Sequence, residues 1–306
     1  MRVAVIGAGH MGRYHAQKIA ARADCSLAAV ADVDRDRARM IAQAHGCPAV
    51  CDYKGIFGSA DAAIIAVPTE RHREVAGACL EAGVHVLVEK PIAADLREAE
   101  DLIRLAKRKG LVLHVGHVER YNAAFRALAA RMERPLFIDA ERLSDFKRRG
   151  AGIDVVLDVM IHDIDLALAL AKGEVSEVSA CGFRVLTRDI DIASARVEFS
   201  DGCVANLSAS RVSQVPVRKL RVFQDALYVS ADLQAGKLRY VKRAGGAIEA
   251  VEENHGGGDA LAVQADAFVA AVRGAPGGVD GEGGGRALKL ALQVSGLVRE
   301  RLGRFA

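Results

Sequence analysis

The sequence has no apolar run near the ~18 residues that a membrane-spanning helix requires. Its first residues lead directly into a β-branched segment, without the basic start and apolar core of a secretory signal. None of the six cysteines belongs to a Cys-x-x-Cys pair, and several lie among apolar residues, which is typical of core thiols in a reducing compartment. We therefore expect a soluble, cytoplasmic protein that does not enter a membrane.

A strong charge of either sign is also absent. The 42 Lys and Arg residues nearly balance the 39 Asp and Glu residues, and the two signs are mixed along the chain. This pattern excludes the basic arm of a nucleic-acid-binding protein. With 51% hydrophobic and 26% charged residues the composition is that of a globular protein, and a length of 306 residues predicts two domains.

Short apolar runs alternate with helix-length amphipathic segments over the first 117 residues. Apolar runs without interspersed polar residues are typical of strands buried on both faces, so this alternation predicts a parallel sheet built from βαβ units. The predicted strands are Val3–Ile6, Leu27–Ala31, Ala62–Val67, Val84–Val88 and Leu111–Val115, and the predicted helices are 11–21, 34–44, 70–82 and 94–109.

The pattern changes after about residue 118. One long helix is predicted at 153–171, and the segments between 175 and 243 alternate or are bounded by turn residues. The sequence thus predicts an α/β protein, in which residues 1–118 form a Rossmann domain with a doubly wound parallel sheet. Residues 119–306 are predicted to form an α+β domain with a mostly antiparallel sheet. The last helix, ending near Leu302, could pack back on the first domain.

A glycine-rich turn follows the first predicted strand and opens the first helix. In such a turn Gly7 makes the tight bend, Gly9 lets the backbone approach a pyrophosphate, and Gly12 lets the helix pack on the strand. Free N–H groups at the start of the helix attract the anion. The turn, which also contains His10 and Met11, predicts a dinucleotide site; a Rossmann domain that has lost its ligand is the alternative.

Asp32 ends the second predicted strand, twenty positions after Gly12. An acidic side chain at this position can accept hydrogen bonds from the ribose hydroxyls of the adenosine. Because a carboxylate repels a 2′-phosphate, the sequence favours NAD over NADP as the cofactor. Arg35 and Arg37 are close enough along the chain to weaken this preference.

Lys90 lies between Glu89 and Pro91, directly after the apolar run 84–88. A lysine at the carboxyl end of a parallel strand points into the crevice where doubly wound sheets bind ligands, and the proline restricts the backbone after it. Lys90 is therefore a candidate catalytic residue. The alternative is a surface lysine that closes a strand.

A second candidate group contains Asp158 and His162, which are four residues apart and so share one face of a helix. A carboxylate beside an imidazole can fix its tautomer and raise its basicity, which suits a general base that takes an alcohol proton. A structural histidine is the alternative. We expect Asp163 and Asp165 to cap or solvate this region, although Asp163 competes with Asp158 as the orienting acid.

His114 and His117 lie on or just after the last predicted strand of the first domain. Together with His162 they resemble a set of metal ligands, but no carboxylate or cysteine stands near them at a convincing ligand spacing. We therefore predict no metal, and expect His117 to line the cofactor or substrate crevice.

These segments, in this order, resemble the Gfo/Idh/MocA oxidoreductase family. The resemblance covers nearly the whole chain, and its most specific parts are the Glu-Lys-Pro segment and the Asp/His pair. The matching segments are Gly7–Gly12 with Tyr14-His15-Ala16, Val67-Pro68-Thr69 followed by His72, Glu89-Lys90-Pro91, and Asp158-x-x-x-His162.

This resemblance implies a Rossmann domain followed by a domain with an open antiparallel sheet, a tightly held nicotinamide, and chemistry at a sugar or cyclitol carbon. It makes Lys90 and His162 the catalytic pair, supported by Asp158, with either of the two as the acceptor of the hydroxyl proton. It places Pro68, Thr69 and His72 along the cofactor and Glu89 near the nicotinamide. A homodimer or homotetramer is also implied.

A narrower likeness, carried by residues 116–122, 156–165 and 208–213, is to a bacterial subgroup of UDP-N-acetylglucosamine 3-dehydrogenases. A diphosphate needs cations, and arginine forks suit its oxygens. The expected substrate-binding residues are Arg120, Tyr121, Lys147, Arg148, Arg149 and Arg211, with Arg142 in the same basic loop; a merely solvated loop is the alternative at 147–149. An inositol or free-sugar dehydrogenase and a non-catalytic NAD-binding regulator are the alternative functions.

Overall fold

The computed structural model describes residues 1–146, 152–244 and 247–304. The chain folds into two compact units. The first unit comprises Met1–Val118 and Leu261–Gly285, and the second comprises Glu119–Ala260 and Arg286–Ala306. The first contains a six-stranded parallel sheet and the second an eight-stranded, mostly antiparallel sheet, so the predicted fold class is confirmed.

All strands of the first sheet are parallel, in the order β3-β2-β1-β4-β5-β6. Its central strands are buried along almost their whole length, as the uninterrupted apolar runs predicted. The two-residue strand β3 was not predicted, because two residues carry no periodic signal. The elements are β1 Arg2–Ile6, α1 His10–Ala20, β2 Ser26–Ala31, α2 Arg35–Ala44, β3 Ala49–Val50, β4 Ala62–Ile65, α3 His72–Glu81, β5 His85–Glu89, α4 Leu96–Lys109 and β6 Leu113–Gly116.

The first unit is completed by helix α7, Ala260–Val272. Its Phe268 is fully buried in the core that also contains Val3 and Ile19. The last helix, α8, spans Gly281–Gly303, but only its start belongs to the first unit. From Ala287 onward its apolar side chains are buried in the core of the second unit. The helix that returns to the first unit is therefore the penultimate one, not the body of the last.

The second sheet has the strand order β14-β13-β12-β11-β7-β10-β9-β8. Its pairs are antiparallel except β7 with β10. One face of this sheet packs on a core that also contains side chains from the helices Ala123–Ala129 and Ile161–Leu170 and from α8. The elements are α5 Ala123–Ala129, β7 Phe137–Leu143, α6 Ile161–Leu170, β8 Val175–Phe183, β9 Ile192–Phe199, β10 Val204–Ser210, β11 Val217–Gln224, β12 Leu227–Asp232, β13 Lys237–Ala244 and β14 Ala247–Asn254.

The helix predicted at 153–171 has two parts. Val156–Met160 form a π-helical turn, and α6 begins directly after it at Ile161. Single π-helical turns are rare in proteins, and many of those that do occur lie at functional sites. Within the described residues, no helix is long and apolar enough to cross a membrane.

Replacing Phe268 with alanine tests the packing of α7. The substitution leaves a cavity at a site with no exposed surface, so it should lower the free energy of unfolding of the first unit by about 3–5 kcal/mol. Urea unfolding followed by circular dichroism measures this change. The matched variant Phe183→Ala removes a ring that is 58% exposed and should change the unfolding free energy by less than about 0.5 kcal/mol. Equal effects of the two variants would contradict the packing described here.

Candidate active site

The glycine-rich turn between β1 and α1 has the geometry of a phosphate cradle. Gly7 has a φ of 99°, and its N–H donates to the carbonyl oxygen of Ala31 at 2.7 Å. A Cβ at Gly12 would overlap the carbonyl oxygen of Gly7, whereas a Cβ at Gly9 would meet no protein atom within 4 Å. No side chain caps α1 at Gly9. The turn therefore presents backbone N–H groups to open space at the start of a helix, and these residues fit a dinucleotide pyrophosphate.

Asp32 braces this turn. Its Oδ2 accepts a hydrogen bond from the N–H of Ala8 at 2.6 Å, and its Oδ1 accepts one from the N–H of Asp34 at 2.8 Å. An ionised carboxylate has about four lone-pair sites, so acceptor capacity for ribose hydroxyls remains. Arg37 donates from Nε to Asp34 at 2.6 Å, and this pair reduces its availability for a 2′-phosphate.

His10 and Met11 lie in the first turn of α1. The His10 ring is exposed and makes an edge contact with the Tyr14 ring, with 5.1 Å between ring centroids. Met11 is half-buried. Both side chains project from the helix whose start forms the cradle.

The carboxylate of Glu89, at the end of β5, is paired with the buried His15 of α1. His15 Nε2 and Glu89 Oε1 are 2.7 Å apart. Gly116 of β6 leaves room for this carboxylate, since a Cβ there would lie 2.9 Å from Glu89 Oε2. Burial raises the pKa of Glu89, but the hydrogen bond with His15 and the charges of His15 and Lys90 outweigh it, so the net pKa is lowered. Glu89 therefore links helix α1, whose start forms the cradle, to the end of strand β5, which Lys90 directly follows.

His72 lies at the segments that follow β4 and β5. Its ring is buried, with Nδ1 2.8 Å from the carbonyl oxygen of Pro91 and Nε2 3.0 Å from that of Val67. Burial lowers the pKa of this imidazole. Both nitrogens face backbone carbonyl oxygens, and the nitrogen that carries the proton donates to its carbonyl, so His72 lies between the segments after β4 and β5 and bonds to one of them. Pro68 and Thr69 are more accessible, and Thr69 begins a short 3₁₀ turn.

Lys90 is half-buried at the carboxyl end of β5, and the peptide bond to Pro91 is cis. His117 is buried just after β6. His114 is also buried, packed against Phe268 and Gly278, and burial lowers its pKa. In the part of the chain that the structure describes, no group of three or more His, Cys, Asp or Glu residues could hold a metal ion.

In the second unit, Asp158 and His162 are both half-buried but belong to different helical segments. Asp158 lies in the π-helical turn and His162 is the second residue of α6. The widened turn changes the phase between them, so the four-residue spacing is not that of one continuous α-helix.

The expectation that Asp163 and Asp165 are solvated or capping residues is wrong. Both are buried, and each accepts two hydrogen bonds from one arginine. Asp163 is held by Arg142 at 2.7 and 3.0 Å, and Asp165 by Arg120 at 2.6 and 3.0 Å. Burial raises the pKa of Asp163, and the charge of Arg142 opposes that shift.

Arg142 also differs from the expectation of an accessible loop residue. It lies in β7, is buried, and donates from Nη1 to Glu119 at 2.7 Å. Its charge is thus shared between two buried carboxylates. Because it holds α6 and the turn Val118–Tyr121 rather than facing solvent, it is a structural cation of the second unit.

Of the other predicted substrate-binding residues, Arg211 is buried. Its Nη2 donates to the carbonyl oxygens of Ile190, at 2.9 Å, and Ile153, and its Nε lies 3.4 Å from Asp191. Tyr121 is half-buried. Lys147, Arg148 and Arg149 lie outside the described residues.

The sequence pattern did not indicate a role for His15, Glu119 or Asp191, although each side chain bonds to a group in another segment of the structure. His15 and Glu119 belong to segments that carried the family resemblance, and this was the one available signal. Asp191 accepts hydrogen bonds from the N–H groups of residues 185–187 at 2.7–2.9 Å. Nothing in the sequence around it indicates such a role.

Comparison with known proteins decides the family. A family described as an oxidoreductase family with an NAD-binding Rossmann fold (GFO/IDH/MocA) matches residues 1–117, and the GFO/IDH/MocA C-terminal domain matches residues 116–226. UDP-N-acetylglucosamine 3-dehydrogenase of Acidithiobacillus ferrooxidans is 40% identical over 304 residues, 96% of each chain. The chain belongs to the Gfo/Idh/MocA oxidoreductase family.

Other members of the Gfo/Idh/MocA family are also similar. The scyllo-inositol 2-dehydrogenase (NAD(+)) of Bacillus subtilis is 29% identical over 70% of this chain and 68% of its own. A solved structure of the Acidithiobacillus ferrooxidans UDP-N-acetylglucosamine 3-dehydrogenase, GnnA, has a TM-score of 0.93 at 39% identity and covers 97% of both chains. The protein is an NAD-binding oxidoreductase, and the predicted enzyme class and cofactor are confirmed.

Gly9→Ala tests the cradle without disturbing the fold. The backbone at Gly9 has a φ of −76°, which suits any residue, and its Cβ would occupy open space, so the variant should unfold like wild type. Its affinity for NAD should fall at least ~10-fold, equivalent to about 1.4 kcal/mol, because the methyl group blocks the pyrophosphate. Isothermal titration with NAD measures the change.

Gly12→Ala is the contrasting variant, since its Cβ would overlap the Gly7 carbonyl oxygen. It should lower the thermal stability of the protein itself. If Gly9→Ala bound NAD as wild type does, the pyrophosphate would not lie at this turn.

Proposed function

We propose that the protein oxidises the 3-hydroxyl of UDP-N-acetylglucosamine with NAD as the acceptor. The observation that carries this proposal is the similarity to UDP-N-acetylglucosamine 3-dehydrogenase, which extends over 96% of each chain and therefore includes the segment with His162. Relatives named as inositol dehydrogenases match at 29–32% identity over about 70% of this chain. An inositol dehydrogenase is therefore the second candidate.

Bound NAD supplies the acceptor for the hydride that leaves the sugar carbon. His162 takes the hydroxyl proton as general base, and Asp158 supports it. Lys90 donates a hydrogen bond to the same oxygen as negative charge develops on it. The products are a ketone, NADH and a proton that His162 releases to solvent. These three roles rest on the family motif.

Asp32 supports the choice of NAD over NADP. Its carboxylate lies at the cradle and is bonded to the N–H of Ala8, so it would repel a 2′-phosphate bound there. The pairing of Arg37 with Asp34 removes one cation that would favour the phosphate. Cytoplasmic location and assembly as a homodimer or homotetramer stay predictions from the sequence.

The substrate is tested by following NADH absorbance with UDP-N-acetylglucosamine, free N-acetylglucosamine and myo-inositol in separate reactions. An aminotransferase with glutamate is included to remove the 3-keto product, which otherwise holds back the equilibrium. We expect turnover with the UDP-sugar alone, and with NAD in preference to NADP. Turnover of inositol or of the free sugar would show that the proposed substrate is wrong. If no NADH forms with any of the three compounds although NAD binds, a non-catalytic NAD-binding protein would be favoured.

His162→Ala tests the general base. Since general-base catalysis typically contributes ~10²–10⁴-fold, kcat should fall by about that factor while the affinity for NAD stays near the wild-type value. The matched variant His255→Ala removes a partly exposed histidine that is paired with Glu253 in the same unit, and it should leave kcat near wild type. Loss of NAD binding in His162→Ala, or equal kcat in the two variants, would argue against the assignment.

A further inference from the structure

Two buried carboxylates stand beside His162 on α6. Asp163 is 3% exposed and Asp165 is 1% exposed. Arg142 donates to Asp163 through Nε at 3.0 Å and Nη2 at 2.7 Å, and Arg120 donates to Asp165 through Nε at 2.6 Å and Nη2 at 3.0 Å. Each pair is thus bidentate, a geometry that fixes orientation as well as distance.

The two pairs approach the helix from opposite sides of His162. An α-helix has 3.6 residues per turn, so successive side chains are about 100° apart. Viewed from His162, Asp163 is therefore displaced by about 100° in one direction and Asp165 by roughly 60° in the other. A rotation of α6 about its axis in either sense would break one of the two bidentate pairs.

The remaining buried contacts of α6 are of a different kind. Its other buried side chains are apolar, including Ile164, Leu166 and Leu170. These apolar contacts keep one face of the helix in the core, and the two bidentate pairs add directional contacts to them. The π-helical turn Val156–Met160 directly precedes α6, so the helical hydrogen-bond pattern changes just before His162.

The partner of Asp163 is itself held in place. Arg142 lies in β7, an interior strand of the eight-stranded sheet, and its Nη1 donates to Glu119 at 2.7 Å. Buried ion pairs are weak evidence for stability, because desolvation offsets much of their attraction. Two of them on one largely apolar helix therefore need a reason other than net stability.

We propose that Asp163 and Asp165, with Arg142 and Arg120, are positioning residues that set the rotation of α6 and so the direction of the His162 imidazole. The inference rests on the proposed function only in taking His162 as the proton acceptor. The placement of the ring is a property of the second unit and can be measured without substrate.

Asp163→Asn and Glu119→Gln form a matched pair for testing this proposal. Each removes one buried carboxylate charge from the same arginine, but only Asp163 is attached to α6. Asp163→Asn should lower kcat by on the order of 10- to 100-fold with little change in the KM for UDP-N-acetylglucosamine, the scale expected when a reacting group is misplaced. Arg142 makes one hydrogen bond to Glu119, which a glutamine oxygen can still accept, and both pairs on α6 stay intact. Glu119→Gln should therefore lower the melting temperature comparably and lower kcat clearly less than Asp163→Asn does.

A second readout follows the His162 ring itself. In protein with isotope-labelled histidine, the ¹H–¹³C resonances of His162 are assigned by their loss in His162→Gln. Asp163→Asn should shift these resonances, whereas Glu119→Gln should shift them clearly less. If wild type does not oxidise the UDP-sugar but the resonances respond in this way, the proposed function fails and the positioning role stands.

Arg142→Lys covers the case in which Asp163→Asn does not fold. It keeps the positive charge but removes the bidentate geometry, and it should change kcat and the His162 resonances in the same direction. Equal losses of kcat in Asp163→Asn and Glu119→Gln that follow their losses of stability would overturn the proposal. So would His162 resonances that are unchanged in Asp163→Asn and Arg142→Lys.

Discussion

A buried charge requires a partner, and this constraint organises both units of the protein. Removing one partner of a buried pair leaves an uncompensated ion, which costs several kcal/mol. In the first unit Glu89 is paired with His15, and in the second Asp163 is paired with Arg142. Both pairs join elements that are distant in the sequence. Each pair therefore favours one particular packing of a helix against a strand: α1 against β5 in the first unit and α6 against β7 in the second.

The residues that hold the site are neighbours of those proposed to perform the chemistry. Glu89 precedes Lys90, and the carbonyl oxygen of Pro91, just after it, is 2.8 Å from His72. Asp163 follows His162. A reacting side chain must be held to within about 0.5 Å of its productive position, and contacts made by residues next to it in the sequence contribute to this.

Elements with a strong local signal were predictable from the sequence, and those without it were not. The buried strands of the first unit stand out as uninterrupted apolar runs between helices. Strand β14 was missed because its residues are mostly exposed and three of the eight are charged, and β7 because charged residues interrupt its alternation. The π-helical turn at Val156–Met160 was also beyond prediction, since its composition suits an α-helix equally well.

The sequence by itself determined the order of the βαβ units, the steric roles of Gly7, Gly9 and Gly12, and the family. These depend on local conformation and on residue types at fixed spacing. Only the tertiary structure decided that Asp163 and Asp165 are buried acceptors and that His72 faces two carbonyls. The physical reason is that the role of a polar side chain depends on which group meets it. The fold supplied those groups from positions 5 to 45 residues away, where no local pattern records them.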